Sequence, residues 1–350
     1  MKVLYLSAWY PTNRDRMSGL FVAKHAEALT RLGIDVRVVY TERTGLRYWV
    51  EMIRQLRALS RTGWRPDLIQ LNVLTKNALI ALYYKWILHI PYILVEHWTG
   101  YTDDNGAFAQ TSSFHRWWVR LAARQASAIL PVSRPLMAAM QRWGLTNEHY
   151  QLINNVVDDF FLTGHRPPRP ANIGCRFLHV SCFDDKAKNI SGILRAFKQV
   201  YEHRQDISLT LVGTGVDYAN VHAYAETLAL PEGVVSFTGE LMPNEVAQQF
   251  LNHDAFVLFS NYENAPVVIS EALATGTPLI SSMVGGIADM VPEECGVLVP
   301  KNDEAALAQA MSTMAEHYND YDTATIRIFG TQYSMHEVGQ NLLTFYQSLL

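Results

Sequence analysis

Two glutamates in one segment of the chain have the type and spacing of residues that bind hydroxyl groups. The segment NYENAPVVISEALATGTPLISSMVGG, residues 261–286, places Glu263 in a loop directly after an apolar strand. Pro266 is expected in the first turn of the helix that follows, and Gly276 is expected to end it, because proline favours helix starts and glycine helix ends. Glu271 then lies on this helix, two turns in.

The start of this helix also suits an anion. The first backbone N–H groups of a helix have no partner within it, so those near residues 264–267 predict a site for a phosphate or diphosphate. A carboxylate repels phosphate, which leaves hydroxyl groups as partners for Glu263 and Glu271. The segment therefore predicts a diphosphate flanked by a sugar and a ribose, although two glutamates at this distance also arise by chance.

The elements around this segment predict an α/β protein with two domains. Short β-branched and apolar runs alternate with amphipathic stretches, which is typical of parallel sheets covered by helices. The predicted strands of the first half are 3–7, 35–40, 68–72, 92–96, 128–132 and 150–154. Those of the second half are 176–181, 208–213, 234–238, 255–260, 278–281 and 296–299. Each half is expected to form a doubly wound sheet with a ligand crevice at the carboxyl ends of its strands.

The domain boundary is predicted from composition. A chain of 350 residues is longer than one hydrophobic core usually organises. The stretch TGHRPPRPANIG, residues 163–174, is rich in proline and glycine, so it is expected to link domain 1–162 to domain 175–334. The last amphipathic stretch, 335–350, could pack on either domain.

Composition and charge exclude several classes of protein. Hydrophobic residues make up 49% and charged residues 18% of the chain, which excludes a disordered protein. The net charge of −4 provides no field for nucleic acid, so none is expected as a partner. The three cysteines have no CxxC spacing, which favours free thiols over disulfides or a closed zinc site. The most apolar stretch, 78–95, is interrupted by Lys85, His89 and Pro91 and is a poor membrane span, so we expect a cytoplasmic protein.

The sequence resembles glycosyltransferase family 4 over essentially its whole length. The resemblance is carried by MSGLFVAKHAEALTRLGIDVRVV, NNVVD, KNISGILRAF, LTLVGTG, VVSFTGELMPNEV, the glutamate segment and GVLVPKND. It implies the GT-B fold, with two Rossmann-like domains facing across a cleft, the N-terminal one on the acceptor side and the C-terminal one binding the donor. It also implies a retaining transferase that moves a sugar from a UDP- or GDP-sugar to an acceptor hydroxyl in glycan, polysaccharide or glycolipid biosynthesis.

The resemblance assigns roles within the glutamate segment. Glu271 matches the glutamate that binds the ribose hydroxyls, and Glu263 matches the catalytic-site glutamate beside the transferred sugar. The positions that match the sugar and diphosphate site are Asn264, Ala265, Pro266 and Val267. Asn264 stands where a glycine is common, but its backbone N–H can still donate.

Further donor-binding residues follow from the resemblance. Gly19 lets the backbone approach the diphosphate, although a turn glycine has the same appearance. Lys188 matches the basic residue that neutralises the pyrophosphate, and we assign it a catalytic role. Many relatives carry an arginine where this chain has Cys182, so the phosphate clamp is expected to be thinner unless Lys186 substitutes. The residues implied near the nucleobase are Gly213, Gly239, Glu240 and Leu241.

His97 matches the family's histidine near the sugar. Together with Glu96 and Trp98 it follows a predicted strand at the edge where a crevice is expected. His97 would orient a sugar hydroxyl or support developing charge. The adjacent aspartate pairs of the chain are typical of turns and caps, so we predict no catalytic metal, and no cofactor besides the nucleotide-sugar co-substrate.

Residues 43–65 form a local basic stretch with six arginines and one glutamate. On a helix, four of the arginines fall within an arc of about 80°, opposite an apolar side. These four are Arg47, Arg54, Arg57 and Arg61, and the apolar side holds Trp49, Met52, Ile53, Leu56 and Leu59. Such a helix is typical of an anchor to an anionic membrane, here the inner face of the cell membrane, and WWVRLAAR at 117–124 would add to it. A helix packed on its own sheet with solvated arginines has the same pattern.

Two other functions are compatible with these observations. A sugar-nucleotide epimerase on the same fold would turn over the donor without an acceptor. A catalytically silent nucleotide-sugar binding subunit would not need the set Glu263, Glu271, Gly19 and His97, whose presence favours a transferase acting on a saccharide or lipid-linked acceptor. The base, the sugar, the acceptor and the oligomeric state stay open.

Overall fold

The computed structural model describes residues 1–13, 15, 17–167 and 174–350, which divide into two compact units. The N-terminal unit comprises Met1–Val156 and Met335–Leu350, and the C-terminal unit comprises Val157–Ser334. Residues 168–173 of the predicted linker lie outside the described residues.

The boundary between the units lies between Val156 and Val157, ahead of the domain boundary predicted after residue 162. Val157 and Phe161 are buried in the apolar core of the C-terminal unit, where the Phe161 ring lies 6.2 Å from the ring of Phe250. Burial of these side chains explains why the residues just before the predicted linker belong to the C-terminal unit.

The N-terminal unit is built on a five-stranded parallel sheet in the order β2-β1-β3-β4-β5. Its strands are β1 Lys2–Ser7, β2 Asp35–Val39, β3 Leu68–Asn72, β4 Tyr92–Glu96 and β5 Ala128–Pro131. The predicted strand 150–154 is wrong, because only Tyr150 pairs with Ile129 of β5 in an isolated bridge. Because Pro131 of β5 has no N–H to donate to the segment 150–154, regular strand pairing stops at this residue.

The helices of this unit cover both faces of its sheet. They are α1 Leu20–Arg31, α2 Gly45–Arg61, α3 Ala78–Leu88, α4 Ser113–Gln125, α5 Arg134–Arg142 and α15 Met335–Leu349. The C-terminal helix α15 packs along α1, where a Cβ on Gly339 would lie 3.1 Å from the Ala28 carbonyl oxygen. The buried Tyr346 hydroxyl of α15 donates to the Gln70 side chain of β3. The last helix therefore belongs to the N-terminal unit.

The C-terminal unit is built on a six-stranded parallel sheet in the order β11-β10-β9-β6-β7-β8. Its strands are β6 Arg176–Val180, β7 Ser208–Val212, β8 Val235–Gly239, β9 Ala255–Leu258, β10 Leu279–Ser282 and β11 Gly296–Val299. The chain builds the sheet outward from β6 in one direction and then returns to the other side of β6 with β9. Doubly wound sheets bind ligands at the carboxyl ends of the strands at such a reversal.

Helices cover both faces of this second sheet and enclose two apolar cores. They are α6 Asp159–Thr163, α7 Asp185–Lys188, α8 Ile190–Tyr201, α9 Tyr218–Thr227, α10 Pro243–Asn252, α11 Val267–Thr275, α12 Ile287–Met290, α13 Glu304–His317 and α14 Thr323–Thr331. Both units are thus parallel α/β domains of the Rossmann-like type, as predicted.

Candidate active site

In the C-terminal unit, the loops that follow β6 and β9 meet where the strand order reverses. Asn261, in the loop after β9, donates its backbone N–H to the Ala187 carbonyl oxygen (2.7 Å). Its side-chain amide donates to the Lys186 carbonyl oxygen (2.8 Å). These bonds tie the loop to helix α7, so residues far apart in sequence share the edge where a ligand is expected.

Lys188 and Glu263 form an ion pair at this edge. Lys188 Nζ lies 2.5 Å from Glu263 Oε1, and the Ser260 hydroxyl donates to the same oxygen at 2.8 Å. Burial lowers the pKa of the Lys188 ammonium, but the charge and hydrogen bond of Glu263, together with Cys182 and Tyr262 nearby, raise that pKa above its ordinary value, so the lysine stays charged. The two side chains are only 17% and 10% exposed. The structure thus brings together two of the predicted catalytic residues.

The loop after β10 closes over the backbone of Glu263. Gly286 donates its N–H to the Asn264 carbonyl oxygen at 2.8 Å. Gly285 has a φ of 53°, and a Cβ there would lie 1.8 Å from the Glu263 carbonyl oxygen. Only glycine fits both this backbone conformation and this approach. Sequence reasoning gave Gly285 no role, although paired glycines directly after a strand were the available signal.

Helix α11 begins at Val267 and has Pro266 as its N-cap, so Pro266 precedes the first turn instead of lying in it. Gly276, with a φ of 71°, ends the helix as predicted. Val267 and Val268 provide the first two N–H groups, which have no carbonyl partner within a helix. The N-terminus of α11 therefore offers donors to an anion beside Glu263.

Glu271 lies in the second turn of α11 and is partly buried. Its carboxylate forms no hydrogen bond to any of the described residues. Burial raises the pKa of Glu271 to about 8, and the negative charge of Asp158 adds to the rise. A hydrogen-bond acceptor without a partner in a partly buried place is suited to the hydroxyl groups of a ligand.

The loop after β7 packs against the loop after β6. Gly213 has a φ of 128°, and a Cβ there would lie 1.9 Å from the Ser181 carbonyl oxygen. Gly213 also donates its N–H to the Gly239 carbonyl oxygen at 2.8 Å. Two of the residues predicted to lie near the nucleobase are thus hydrogen-bonded directly to each other. The other two differ in exposure, since Glu240 is exposed and Leu241 is half-buried.

Two adjacent aspartates near Lys188 accept hydrogen bonds from groups of the protein itself. Asp184 accepts the N–H of Ala187 at 3.2 Å and caps α7. Asp185 accepts the N–H and the hydroxyl of Ser191 at 2.8 and 2.7 Å. The cap role predicted for this pair is confirmed. Cys182, in the same region, is an exposed free thiol.

Gly19 in the N-terminal unit is held against the chain's own backbone. It is the N-cap of α1 with a φ of 63°, and a Cβ there would lie 2.4 Å from the Trp9 carbonyl carbon. The backbone conformation of this turn and its close approach to Trp9 are sufficient to require glycine, independently of any ligand.

Glu96 is fully buried at the end of β4 and holds the loops beside it. One carboxylate oxygen accepts the N–H groups of His97 (3.0 Å) and Trp98 (2.9 Å), and the other accepts the N–H of Leu74 (3.0 Å). Burial raises the pKa of Glu96 to about 7 against the effect of these bonds. Glu96 is turned into its own loops and orders the residues on either side of it.

His97 follows Glu96 and packs against α1. Its ring stacks on the ring of Phe21 with 3.8 Å between centroids. Burial lowers the pKa of His97 well below its ordinary value, and His25 nearby adds to this effect. A neutral imidazole is suited to orienting a hydroxyl group and does not carry charge at neutral pH.

A cavity of about 650 Å³ opens at the carboxyl ends of β1, β2 and β3 in the N-terminal unit. Asn77 in its wall is fully buried, and within the described residues its amide nitrogen and oxygen have no hydrogen-bond partner, nor has the Tyr48 hydroxyl. Lys76 Nζ lies 3.6 Å over the Tyr48 ring. Further aromatic residues in the wall are Trp9, Tyr40 and Trp98. Sequence reasoning missed this cavity, which depends on loops from several strands.

The predicted basic helix is α2, which packs on the sheet through its two buried residues, Tyr48 and Met52. Its four arginines are exposed. The apolar side is less covered than predicted, because Ile53 is 43% exposed and Leu46 and Val50 are exposed beside the arginines. No helix among the described residues combines the length and the hydropathy that crossing a bilayer requires.

Two family models match the chain, one in each unit. The model described as glycosyl transferases group 1 matches residues 174–317, and the model described as a glycosyl transferase 4-like domain matches residues 22–155. The chain belongs to the group 1 glycosyltransferases. The resemblance predicted from the motifs is thereby confirmed.

A solved structure supports the fold. HepE from Anabaena, in complex with UDP, matches 99% of this group 1 glycosyltransferase and 100% of its own chain, with a TM-score of 0.76 and 18% identity. At this identity the likeness concerns the fold alone, and it confirms the predicted GT-B class.

Curated relatives match parts of the chain. N-acetyl-alpha-D-glucosaminyl L-malate synthase of Bacillus anthracis is 24% identical over 66% of this chain and 62% of its own length. The GDP-mannose-dependent alpha-mannosyltransferase of Mycobacterium tuberculosis is 32% identical over 35% of this chain and 31% of its own length. The matched part of this chain therefore spans between 31% and 62% of the length of these relatives.

Proposed function

We propose that this protein is a retaining glycosyltransferase. It moves a sugar from a nucleoside-diphosphate sugar to an acceptor hydroxyl in glycan, polysaccharide or glycolipid biosynthesis. The observation that carries the proposal is the ion pair of Lys188 with Glu263 beside the N-terminus of α11, at the edge where the strand order reverses. A lysine and free helix N–H groups suit a diphosphate, and a carboxylate beside them suits a sugar hydroxyl.

The donor is assigned to these groups by charge. Lys188 and the N–H groups at the start of α11 bind the diphosphate, Glu263 accepts a hydroxyl of the transferred sugar, and Glu271 accepts the ribose hydroxyls. The joined loops of Gly213 and Gly239 border the nucleobase. A UDP- or GDP-sugar is favoured, because HepE was solved with UDP and the mycobacterial relative depends on GDP-mannose.

The proposed reaction proceeds on one face of the sugar. The bond from the anomeric carbon to the diphosphate oxygen breaks, the acceptor oxygen bonds to the same face, and the leaving oxygen takes the acceptor's proton. Lys188 and the α11 N–H groups stabilise the charge that develops on the diphosphate. Glu263 is held by Lys188 and Ser260, which suits it to orienting a hydroxyl. Since this charge stabilisation needs no ion, we propose a metal-independent reaction.

The acceptor is assigned to the N-terminal unit. The cavity there combines the aromatic residues Trp9, Tyr40 and Trp98 with polar residues at its rim, a lining that suits a saccharide. The polar residues are Thr41, Glu42 and Thr75. Gly19 and His97 keep the roles toward the donor that the family resemblance implies. The neutral imidazole of His97 orients a sugar hydroxyl.

We also propose that the enzyme works in the cytoplasm and binds peripherally to an anionic membrane. The exposed Arg47, Arg54, Arg57 and Arg61 of α2 would contact lipid headgroups, so that the acceptor includes lipid-linked saccharides.

Activity on a defined donor tests the proposal. A thermal-shift screen of UDP- and GDP-sugars identifies the donor, because a ligand that binds the native state raises its apparent stability. The donor is then incubated with and without saccharide acceptors, and the products are followed by mass spectrometry and by NMR of the anomeric proton. We expect a transfer product with retained configuration only when acceptor is present. Isomerised donor without acceptor would identify an epimerase, and binding without any turnover would identify a silent subunit.

A further inference from the structure

Three helices of the N-terminal unit share one face of its sheet. Helices α2, α3 and α4 connect β2 to β3, β3 to β4, and β4 to β5, and each connection moves in the same direction across the sheet. Because such connections are right-handed, the three helices lie on the same side. Nine of the eighteen large apolar side chains that are strongly exposed among the described residues lie on these helices.

Helix α3 has an exposed stripe without a charged side chain. Leu79, Tyr83, Trp86 and Ile87 follow the spacing of one helix face and are 49%, 53%, 50% and 62% exposed. The lysine of this helix, Lys85, instead donates to a backbone carbonyl of α4. A helix on the surface of a protein normally turns polar side chains to water, so the stripe indicates an apolar partner.

Helix α4 extends this stripe. Phe114 and Trp117 are 75% and 58% exposed and stack on each other with 6.0 Å between ring centroids. The indole N–H of Trp86 donates to the Gln125 side chain at 3.3 Å and joins the two helices. We call the six exposed residues the α3–α4 patch, namely Leu79, Tyr83, Trp86, Ile87, Phe114 and Trp117.

Helix α2 adds positive charge on the same side of the sheet. Arg47, Arg57 and Arg61 form no ion pair with the described residues, and Arg54 pairs with Glu51 at 2.7 Å. The exposed apolar side chains among these arginines are Leu46, Val50 and Ile53. Apolar and basic groups therefore alternate on this face.

We propose that the α3–α4 patch inserts into the interfacial region of an anionic membrane while the arginines of α2 bind the headgroups. The apolar rings and polar tips of tryptophan and tyrosine suit the boundary between headgroups and acyl chains. A second copy of this chain fits less well, since a symmetric contact would bring the arginines of both copies to one interface. The inference rests on the proposed function, in which the bilayer presents a lipid-linked acceptor.

Vesicle binding by the full chain tests the patch without any turnover. The probes are vesicles of phosphatidylglycerol with phosphatidylcholine, and of phosphatidylcholine alone, in flotation assays at low salt and at about 0.5 M salt, where headgroup attraction is screened. We expect Leu79→Ser/Ile87→Ser to lower the vesicle-bound fraction at least fivefold at both salt concentrations. Arg54→Glu/Arg57→Glu should lower it mainly at low salt.

The matched control is Val216→Ser/Ile328→Ser, which removes two apolar side chains that are 86% and 68% exposed in the C-terminal unit. It should bind vesicles like the wild type. Brominated lipids provide a measurement without the serine variants, since they should quench tryptophan fluorescence in the wild type and much less in Trp86→Phe/Trp117→Phe.

Three outcomes would overturn the proposal. One is equal vesicle binding by the patch variant and the control, and another is unquenched tryptophan fluorescence with vesicle-bound protein. The third is a wild-type dimer by light scattering that the patch variant converts to a monomer, which would make the face a self-association surface. Transfer to a soluble saccharide is measured in parallel, so a failure of vesicle binding with intact transfer refutes the patch and the proposed membrane contact of α2, and leaves the proposed transfer reaction standing.

Discussion

Replacing Glu271 by glutamine is the sharpest test of the donor site, because it removes a charge and keeps the shape of the side chain. In the free enzyme the pKa of Glu271 is raised to about 8, first by burial and then by Asp158. At pH 7 roughly nine in ten molecules therefore carry a protonated Glu271. Two ribose hydroxyls that donate to the carboxylate favour its charged form, so donor binding must release a proton.

The loss in affinity follows from the same contact. A hydrogen bond to a charged acceptor contributes about 1.5–3 kcal/mol, and Glu271→Gln loses the charge and keeps a neutral oxygen. Above pH 8, where the free carboxyl group is already charged, we expect the Kd for the donor to rise about tenfold or more. At pH 7 the rise is smaller, because the wild type must first release a proton. Wild-type affinity should increase with pH up to about 8 and then level off, whereas the affinity of the variant should not follow this change.

The stability of the free enzyme should change with pH in the opposite direction to the donor affinity. Because the folded pKa of Glu271 lies above its ordinary value of 4.5, the folded state holds its proton more tightly than the unfolded state. The associated stability is complete below pH 4.5 and is lost as pH rises toward 8. At pH 7 the loss in free energy of unfolding would be about 3 kcal/mol for a fully enclosed carboxyl group. Glu271 is partly exposed, so we expect about half of that loss. Glu271→Gln without ligand should therefore unfold at a higher temperature than the wild type at pH 8.

Isothermal titration calorimetry in buffers of different ionisation enthalpy measures both the Kd and the protons released. The control is Glu226→Gln on α9, whose side chain is 72% exposed and which should change neither quantity. Unchanged affinity and unchanged proton release in Glu271→Gln, with the expected gain in stability, would show a buried carboxyl that does not contact the donor.

Three further predictions concern the neighbouring groups. Lys188→Ala should lower kcat/KM about a hundredfold or more, because it removes the cation that binds the diphosphate and leaves the buried Glu263 without its ion-pair partner. Steady-state kinetics measure this change, and a decrease of less than threefold would show that Lys188 is not part of the site. Gly285→Ala should abolish transfer while circular dichroism stays native, since its Cβ would displace the Glu263 backbone, whereas Gly233→Ala, also at positive φ but with no atoms within 4 Å, should keep its activity. Transfer should survive excess EDTA in a radiolabel assay, and a loss restored by magnesium or manganese would contradict the proposed charge stabilisation.

The donor-side elements could be predicted from the sequence because their signals are local. An apolar strand, a short loop and a helix with a proline before it fix the place of Glu263 and Glu271 within a single segment. The strands of both sheets follow from the same kind of pattern. The strand predicted at 150–154 fails because its partner β5 ends in Pro131, a long-range condition that the segment itself does not contain.

Other features depend on contacts between distant loops. Glu96 was expected to face a crevice, but its carboxylate binds three backbone N–H groups of its own and a neighbouring loop. The cavity around Asn77 and the approach of Gly285 to Glu263 likewise need several strand ends to be placed together. The apolar stretch from residue 78 was considered only as a membrane span, since periodicity cannot tell which apolar residues of a uniformly apolar helix remain exposed.

In the proposed function, the ion pair of Lys188 and Glu263 links donor binding to the preparation of the site. Without donor, each charge compensates the other in a place that water hardly reaches, so neither carries the full cost of burial. A diphosphate bound beside Lys188 would compete for the ammonium and leave the Glu263 carboxylate freer to accept a sugar hydroxyl. Ser260 still holds the same carboxylate oxygen from the loop side, which keeps its position fixed during this exchange. In the proposed function the two charges therefore act as one unit, because the donor would supply both a diphosphate for the lysine and a hydroxyl for the glutamate.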